Sequence, residues 1–269
     1  MINLRSRAWH NVVFRIGMPV VLWAAGWPLL AAAAQVPDPL QGAQWIQAPH
    51  ASAQDAVMPV FRRQFVLEKP LQRATLTIAA LGQGEVHVNG VKAGDAELTP
   101  SWTDYRKTIR YQQLDVTPLL HPGQNVMGVL VGNGMYNVVR TPHRYTKLEN
   151  SYGAPRLIAL LQLRYTDGTT GRIASDAAWQ TTAGPIVFSS TYGGEDYDAT
   201  REPAGWDKPA AVAPGWQPAQ LTDGPGGALH AEVEPPIRVM QRYAAKRLAD
   251  PRPGVAVYDF GQNFAGWPE

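Results

Sequence analysis

The sequence predicts an all-β protein built as a jelly-roll-like sandwich. Glycine and proline supply 25 and 23 of the 269 residues, a turn-rich composition that disfavours a helical bundle. Apolar residues recur with period two in short segments, separated by Gly, Pro, Asn and Asp at intervals of roughly 8–12 residues, as in sandwiches and barrels. Helical signal is confined to Asp115–Leu120, where Thr117 is expected as the N-cap and Pro118 at the first helical position.

Taken in order, Phe61–Leu67 reads as an early strand. Ala74, Leu76 and Ile78 then alternate with Thr75, Thr77 and Ala79. Val86-His87-Val88 runs into Asn89-Gly90 and then Val91, the dipeptide of a type I′ hairpin turn. Val126–Val131 is a further apolar run. In the strand Leu157–Tyr165, Leu157, Ala159, Leu161, Leu163 and Tyr165 share one face. The other face carries Ile158, Leu160, Gln162 and Arg164, so one end of this strand is expected to be buried on both sides. Asp167-Gly168 marks the next hairpin. Pro203–Gly227, rich in Pro, Gly and Ala, reads as a long surface connection, and Pro235-Pro236 as a domain boundary. Beyond it, Ile237–Leu248 and Val255–Phe260 resemble the first strands of a second, incomplete β domain.

The N-terminus has a different character. Met1–Ala34 holds Arg5, Arg7 and Arg15 and no acidic residue, then an uncharged stretch from Ile16 to the small-residue tract Ala31–Ala34. A basic segment, an apolar segment and Ala32-x-Ala34 before Gln35 match a secretory signal peptide, with an uncleaved membrane anchor as the alternative. The expected organisation is therefore a signal helix over 1–34, a sandwich over 35–235 and the start of a second β domain over 236–269. Export implies a periplasmic or extracellular location. Removing the three arginines lowers the formal charge from +2 to −1. No basic stripe remains, which disfavours nucleic acid as a partner class. With no cysteine, disulfide scaffolds, zinc ribbons and Cys nucleophiles are excluded.

Self-contained catalytic signatures are missing: no H-E-x-x-H, G-x-S-x-G or P-loop occurs. Gly82-Gln-Gly84 and Gly132-Asn-Gly134 lack the third glycine of a dinucleotide fingerprint and read as turns. The six histidines have no ligand-like spacing. The acidic segment Gly193–Glu202 brings Glu195, Asp196 and Asp198 together. If it is extended, Asp196 and Asp198 share a face with backbones about 6.6 Å apart. Side-by-side carboxylates do not provide the opposed pair that inverting glycoside hydrolysis requires. Calcium or sugar hydroxyls suit such hard oxygen ligands, and a structural loop holding Arg201 and backbone N–H groups is the plainer reading. Tryptophans are the second resource, because sugars stack their C–H faces on exposed rings. Thr99–Tyr105, with Trp102, Asp104 and Tyr105, is the best loop of this kind, and core packing is its competing role.

Four segments together resemble the N-terminal region of bacterial α-L-rhamnosidases, a glycoside hydrolase family. They are Leu98–Tyr105 (LTPSWTDY), Gly132–Tyr136 (GNGMY), Gly194–Trp206 (GEDYDATREPAGW) and Asp259–Trp267 (DFGQNFAGW). Ser101, Met135 and Thr200 depart from the family's usual Gly, Trp and Arg. The resemblance implies a galactose-binding-like sandwich within a modular enzyme that removes terminal α-L-rhamnose with inversion. Its acid and base would lie on an (α/α)6 barrel further downstream, so no catalytic residue is assigned to this chain. In some members a sandwich of this region binds rhamnose with a calcium ion, which makes calcium a candidate cofactor and rhamnose-containing glycans or glycosides candidate partners. Trp102, Asp104, Tyr105 and Tyr136 are the expected carbohydrate-binding residues, with Glu195, Asp196 and Asp198 for carbohydrate or calcium. The remaining readings are a free-standing rhamnose-binding module and a membrane-tethered interaction domain.

Overall fold

The computed structural model describes residues 38–209 and 214–267, so the expected signal helix lies outside the described residues. In chain order the strands begin with β1 (Trp45–Gln47), β2 (Pro59–Leu67), β3 (Leu71–Leu81), β4 (Gln83–Val88), β5 (Val91–Lys92), β6 (Thr108–Asp115) and β7 (Gly123–Gly132). Next come β8 (Asn137–Val138), β9 (Asn150–Ser151), β10 (Arg156–Tyr165), β11 (Thr170–Ala174), β12 (Gln180–Ala183), β13 (Ile186–Ser190) and β14 (Gly194–Tyr197). The last are β15 (Gln217–Pro218), β16 (Gln220–Thr222), β17 (Ala228–Ala231), β18 (Lys246–Arg252) and β19 (Val255–Asp259). Helical structure among the described residues is limited to two 3-10 turns, Thr117–Leu119 and Ala199–Arg201.

Two sheets form the sandwich. One has the order β16-β1-β10-β3-β6-β17, with β11 sharing the β1 edge of β10; the other has the order β15-β12-β2-β7-β4-β5. All pairings are antiparallel except β17 with β6. Period-two alternation sends Ala74, Leu76, Ile78 and Ala80 of β3, and Leu157, Ala159, Leu161 and Leu163 of β10, into the space between the sheets. They meet Phe61, Phe65 and Leu67 of β2, Met127, Val129 and Val131 of β7, and Val86 and Val88 of β4. Each Val, Leu, Ile, Phe or Met side chain so removed from water contributes about 1.5–3 kcal/mol.

The opposite face of the seven-stranded sheet carries a second core. Ile158 and Leu160 of β10, Ala79 and Leu81 of β3 and Ile109 of β6 pack there with Leu40, Tyr105 and Tyr136 from loops. The two-sided burial read from the β10 sequence is thus present at Ile158 and Leu160, while Gln162 and Arg164 are exposed. Asn89 and Gly90 take φ of 52° and 87° at the β4–β5 hairpin, the positive angles of a type I′ turn.

Two local expectations are corrected. Thr117 begins the 3-10 turn but is not its cap. Its hydroxyl donates to Asp115 Oδ1 at 2.5 Å, and the same oxygen accepts the Thr117 N–H at 3.0 Å. The Pro203–Gly227 segment is not simply a surface connection. Trp206 and Asp207 are buried against the six-stranded sheet, because glycine at position 128 leaves room for the indole. After Pro236, Ile237 makes one antiparallel bridge to Glu97, and β18 and β19 pair as a hairpin of largely exposed residues.

Candidate carbohydrate-binding groove

The loop between β5 and β6 is fixed from both sides. The Gly84 N–H donates to the Thr99 carbonyl at 2.7 Å, and Glu97 N–H donates to the Ile237 carbonyl at 2.8 Å. Glu232 Oε1 accepts from the Ser101 N–H at 2.7 Å and from its hydroxyl at 2.8 Å. Leu98 adopts φ of 53°, in the left-handed region, and the Thr99–Pro100 bond is cis. So held, the loop presents Trp102 outward with 67% of its surface exposed. A groove of about 330 Å³ runs beside it, lined by Leu98, Pro100, Trp102, Met135, Tyr192 and Ile237 among others. Gly82 also lines it, at a close approach of two chain segments: a Cβ on Gly82 would fall 2.0 Å from the Gly132 carbonyl oxygen. The two Gly-x-Gly segments, read as turns in the sequence, are instead strand ends: Gln83 and Gly84 open β4 and pair with Gly132 and Val131 of β7, with the bend at Gly82 and the turn at Gly134 beside them.

The expected binding residues divide. Trp102 is the exposed ring of the groove. Asp104 stands at the loop's far end, where Arg106 and Lys107 bond its carboxylate at 3.3 and 3.4 Å. Desolvation opposes the shift, but these bonds hold its pKa below the usual value. Tyr105 and Tyr136 are both buried in the outer core, and Tyr105 also lines the groove from there. Their rings meet edge-on at 5.1 Å, and Tyr152 stacks on Tyr136 at 5.6 Å. The Tyr136 hydroxyl donates to the Tyr152 carbonyl at 3.1 Å. Burial pushes both tyrosine hydroxyls above their ordinary pKa.

The acidic segment forms β14 and the following turn. Asp196 is ion-paired with Arg144, whose guanidinium lies 4.5 Å over the Phe188 ring. Asp198 caps the turn, accepting the Thr200 N–H at 3.0 Å and hydroxyl at 2.6 Å, which lowers its pKa. Glu195 is shifted upward by burial and by the charge of Glu85. Asp196 and Asp198 are committed to different partners, and Arg144 rather than Arg201 takes Asp196. Among the described residues no three His, Asp or Glu side chains are grouped to hold a metal.

A polar network on the outer face of the six-stranded sheet was not legible in the motifs. His87 Nε2 lies 2.8 Å from Glu85 Oε1 and its Nδ1 lies 3.0 Å from Asp207 Oδ2. The imidazole also packs on Trp206, with centroids 4.7 Å apart. Lys92 bridges Glu85 and Glu97 at 3.0 and 2.6 Å. The hydrogen bond from His87, reinforced by Lys92, holds Glu85 at a pKa of about 2 against burial. Nearby, burial and the bond to Glu202 push the Tyr197 hydroxyl up to about 12. The sequence signal for the network was the i, i+2 placement of Glu85 and His87 on one strand face.

Fold and groove together define a jelly-roll-type β-sandwich with an aromatic loop along one margin. Residues 69–241 match the family model described as the α-L-rhamnosidase N-terminal domain. An α-L-rhamnosidase of Streptomyces avermitilis is 38% identical over 247 residues, covering 90% of this chain and 23% of that protein. The structure of native α-L-rhamnosidase from Aspergillus terreus aligns with a TM-score of 0.74 at 33% identity, covering 85% of this chain and 26% of that one. The Streptomyces avermitilis enzyme solved in complex with L-rhamnose aligns with a TM-score of 0.66 at 36% identity, over 79% of this chain and 20% of its own. The chain belongs to the α-L-rhamnosidase family. It spans less than a quarter of the length of the curated relatives it matches.

Proposed function

We propose that this chain is the ancillary β-sandwich portion of an exported α-L-rhamnosidase, an enzyme that removes terminal α-L-rhamnose from glycosides by inverting hydrolysis. The observation that carries this reading is the match of residues 69–241 to the family's N-terminal domain. The sandwich spans 35–235, residues 236–269 begin a second β domain, and the catalytic barrel lies elsewhere in the enzyme. By itself the chain is inactive. Inversion needs an acid and a base roughly 6.5–9.5 Å apart across an open site. Here Glu85 and Asp207 close on His87, Glu97 on Lys92, and Asp196 on Arg144. Incubation of the purified chain with an aryl α-L-rhamnoside tests this: aryl release equal to the blank is expected, and enzymatic release would overturn it. N-terminal sequencing of the exported protein, expected to start at Gln35, tests the export signal; an intact Met1 would instead favour a membrane tether.

A second reading, a rhamnose-binding module, is favoured by the exposed Trp102 ring beside its groove. Calorimetric titration with L-rhamnose, with and without calcium, separates the two. Heat lost in Trp102→Ala supports the module, and no heat at millimolar sugar leaves the ancillary role alone.

A further inference from the structure

Three arginines share the outer face of the seven-stranded sheet where β3, β10 and β11 meet. Arg73 stands directly opposite Arg164, and Gln162, two residues before Arg164, stands opposite Arg172. Alternation sends Ala74, Leu161 and Leu163 to the inner core, so these arginines project on the other side with Thr75, Gln162 and Thr170. All six line one cleft of about 540 Å³.

Like charges placed directly opposite destabilise an antiparallel pair. Elsewhere on the two sheets Arg110 pairs with Glu234 at 2.6 Å and Lys92 with Glu97 at 2.6 Å. The side chains of Arg73 and Arg164 make no hydrogen bond or ion pair with any described residue, and the Arg172 guanidinium donates to the Gln41 carbonyl. Two carboxylates are near. Asp38 at the rim accepts the Leu40 N–H at 2.9 Å, and Asp115, on the neighbouring strand, bonds Thr117 and also feels the charge of Arg73 without contacting it. The cleft therefore gathers three guanidinium groups, two of which, Arg73 and Arg164, have their N–H donors unbonded by any described residue.

We propose that Arg73, Arg164 and Arg172 form an oxyanion-binding cleft that takes the carboxylate or sulfate groups of an acidic polysaccharide. The planar guanidinium fork donates paired N–H groups to such anions. Thr75, Gln162 and Thr170 supply neutral partners for adjacent sugar hydroxyls. No aromatic side chain lines the cleft, so it lacks the stacking surface of a single-stranded nucleic-acid site. The choice of a glycan as the carrier rests on the rhamnosidase reading, whereas the anion site does not.

Affinity electrophoresis of the purified chain through gels containing polygalacturonate, dextran sulfate or neutral dextran tests the proposal, with single-stranded DNA as a fourth arm. Retardation is expected in at least one acidic glycan, falling with salt, and none in neutral dextran. Arg164→Gln should weaken it at least fivefold and Arg73→Gln/Arg172→Gln tenfold or more. Retardation by one acidic glycan alone identifies carboxylate or sulfate as the preferred group. Arg164→Gln is expected to melt no lower than the parent, because it removes a like-charge opposition, so lost binding is separable from lost folding. Equal retardation of Arg164→Gln, retardation by neither acidic glycan, or tighter binding to the DNA would overturn the site. None of these readouts involves rhamnose release, so their failure leaves the hydrolase assignment to its own assay.

Discussion

His87 Nδ1 lies 3.0 Å from Asp207 Oδ2, joining residues 120 positions apart and fastening the segment that carries Trp206 onto β4. Burial disfavours the imidazolium, but the hydrogen bonds it donates to Glu85 and Asp207 outweigh this and raise the His87 pKa. A raised histidine stabilises the fold fully below its unfolded pKa of roughly 6.5, and that contribution is lost as pH rises through the folded value. Glu85, lowered to about 2, contributes above its unfolded pKa and loses that contribution as pH falls through about 2. The melting temperature of His87→Gln should therefore trail the parent most between about pH 4.5 and 6.5. Melts at pH 5.5 and 9 check this: a gap of the same size at both would exclude protonated His87 as the fastener.

The same segment depends on a missing side chain. A Cβ on Gly128 would lie 2.6 and 2.8 Å from Trp206 ring carbons and 2.8 Å from its carbonyl oxygen. Since backbone as well as ring would have to move, Gly128→Ala is expected to cost about 1–3 kcal/mol. Urea unfolding measures it, and near-UV circular dichroism should show the altered indole environment.

Trp102 and Tyr136 should separate surface from core. Removing the buried Tyr136 ring is expected to cost about 3–5 kcal/mol, whereas Trp102→Ala should change stability by no more than roughly 0.5 kcal/mol. Parallel denaturation curves of the two variants test the assignment, and a reversed order would place Trp102 in the packing.

Asn125 organises the turn before β7. It is fully buried, accepts from Asn89 Nδ2 at 2.8 Å and the His121 N–H at 3.1 Å, and donates to the carbonyls of His121 and Gly123 at 2.7 and 2.9 Å. Asn125→Leu preserves bulk but strands those groups, so a loss of about 2–4 kcal/mol is expected, at roughly 1–3 kcal/mol per unsatisfied buried group. Chemical denaturation at neutral pH provides the value.

Regular strands were legible wherever alternation alone sets the structure. Leu157–Tyr165 displayed both of its faces, and Asn89-Gly90 displayed its hairpin, because period-two burial and positive φ leave local signatures. Tyr105 and Tyr136 were less legible, since their core is built from loops laid over a sheet face and has no period of its own. His87 and Asp207 were invisible as a pair for a related reason: the contact joins a strand to a Pro- and Gly-rich segment distant in sequence. At Asp115–Leu120 the turn was anticipated, but the side chain holding its first N–H was Asp115, two residues ahead of Thr117. The motifs nevertheless located the groove, because Trp102 and Met135 line it together.

By itself the chain is expected to release no rhamnose. The decisive measurement is the rate of aryl release from an aryl α-L-rhamnoside by purified residues 35–269, followed at high protein concentration with a full-length rhamnosidase as positive control. An ancillary sandwich without an opposed acid and base should match the blank throughout. Sustained release proportional to the chain's concentration, with free L-rhamnose appearing in equal amount, would contradict the claim.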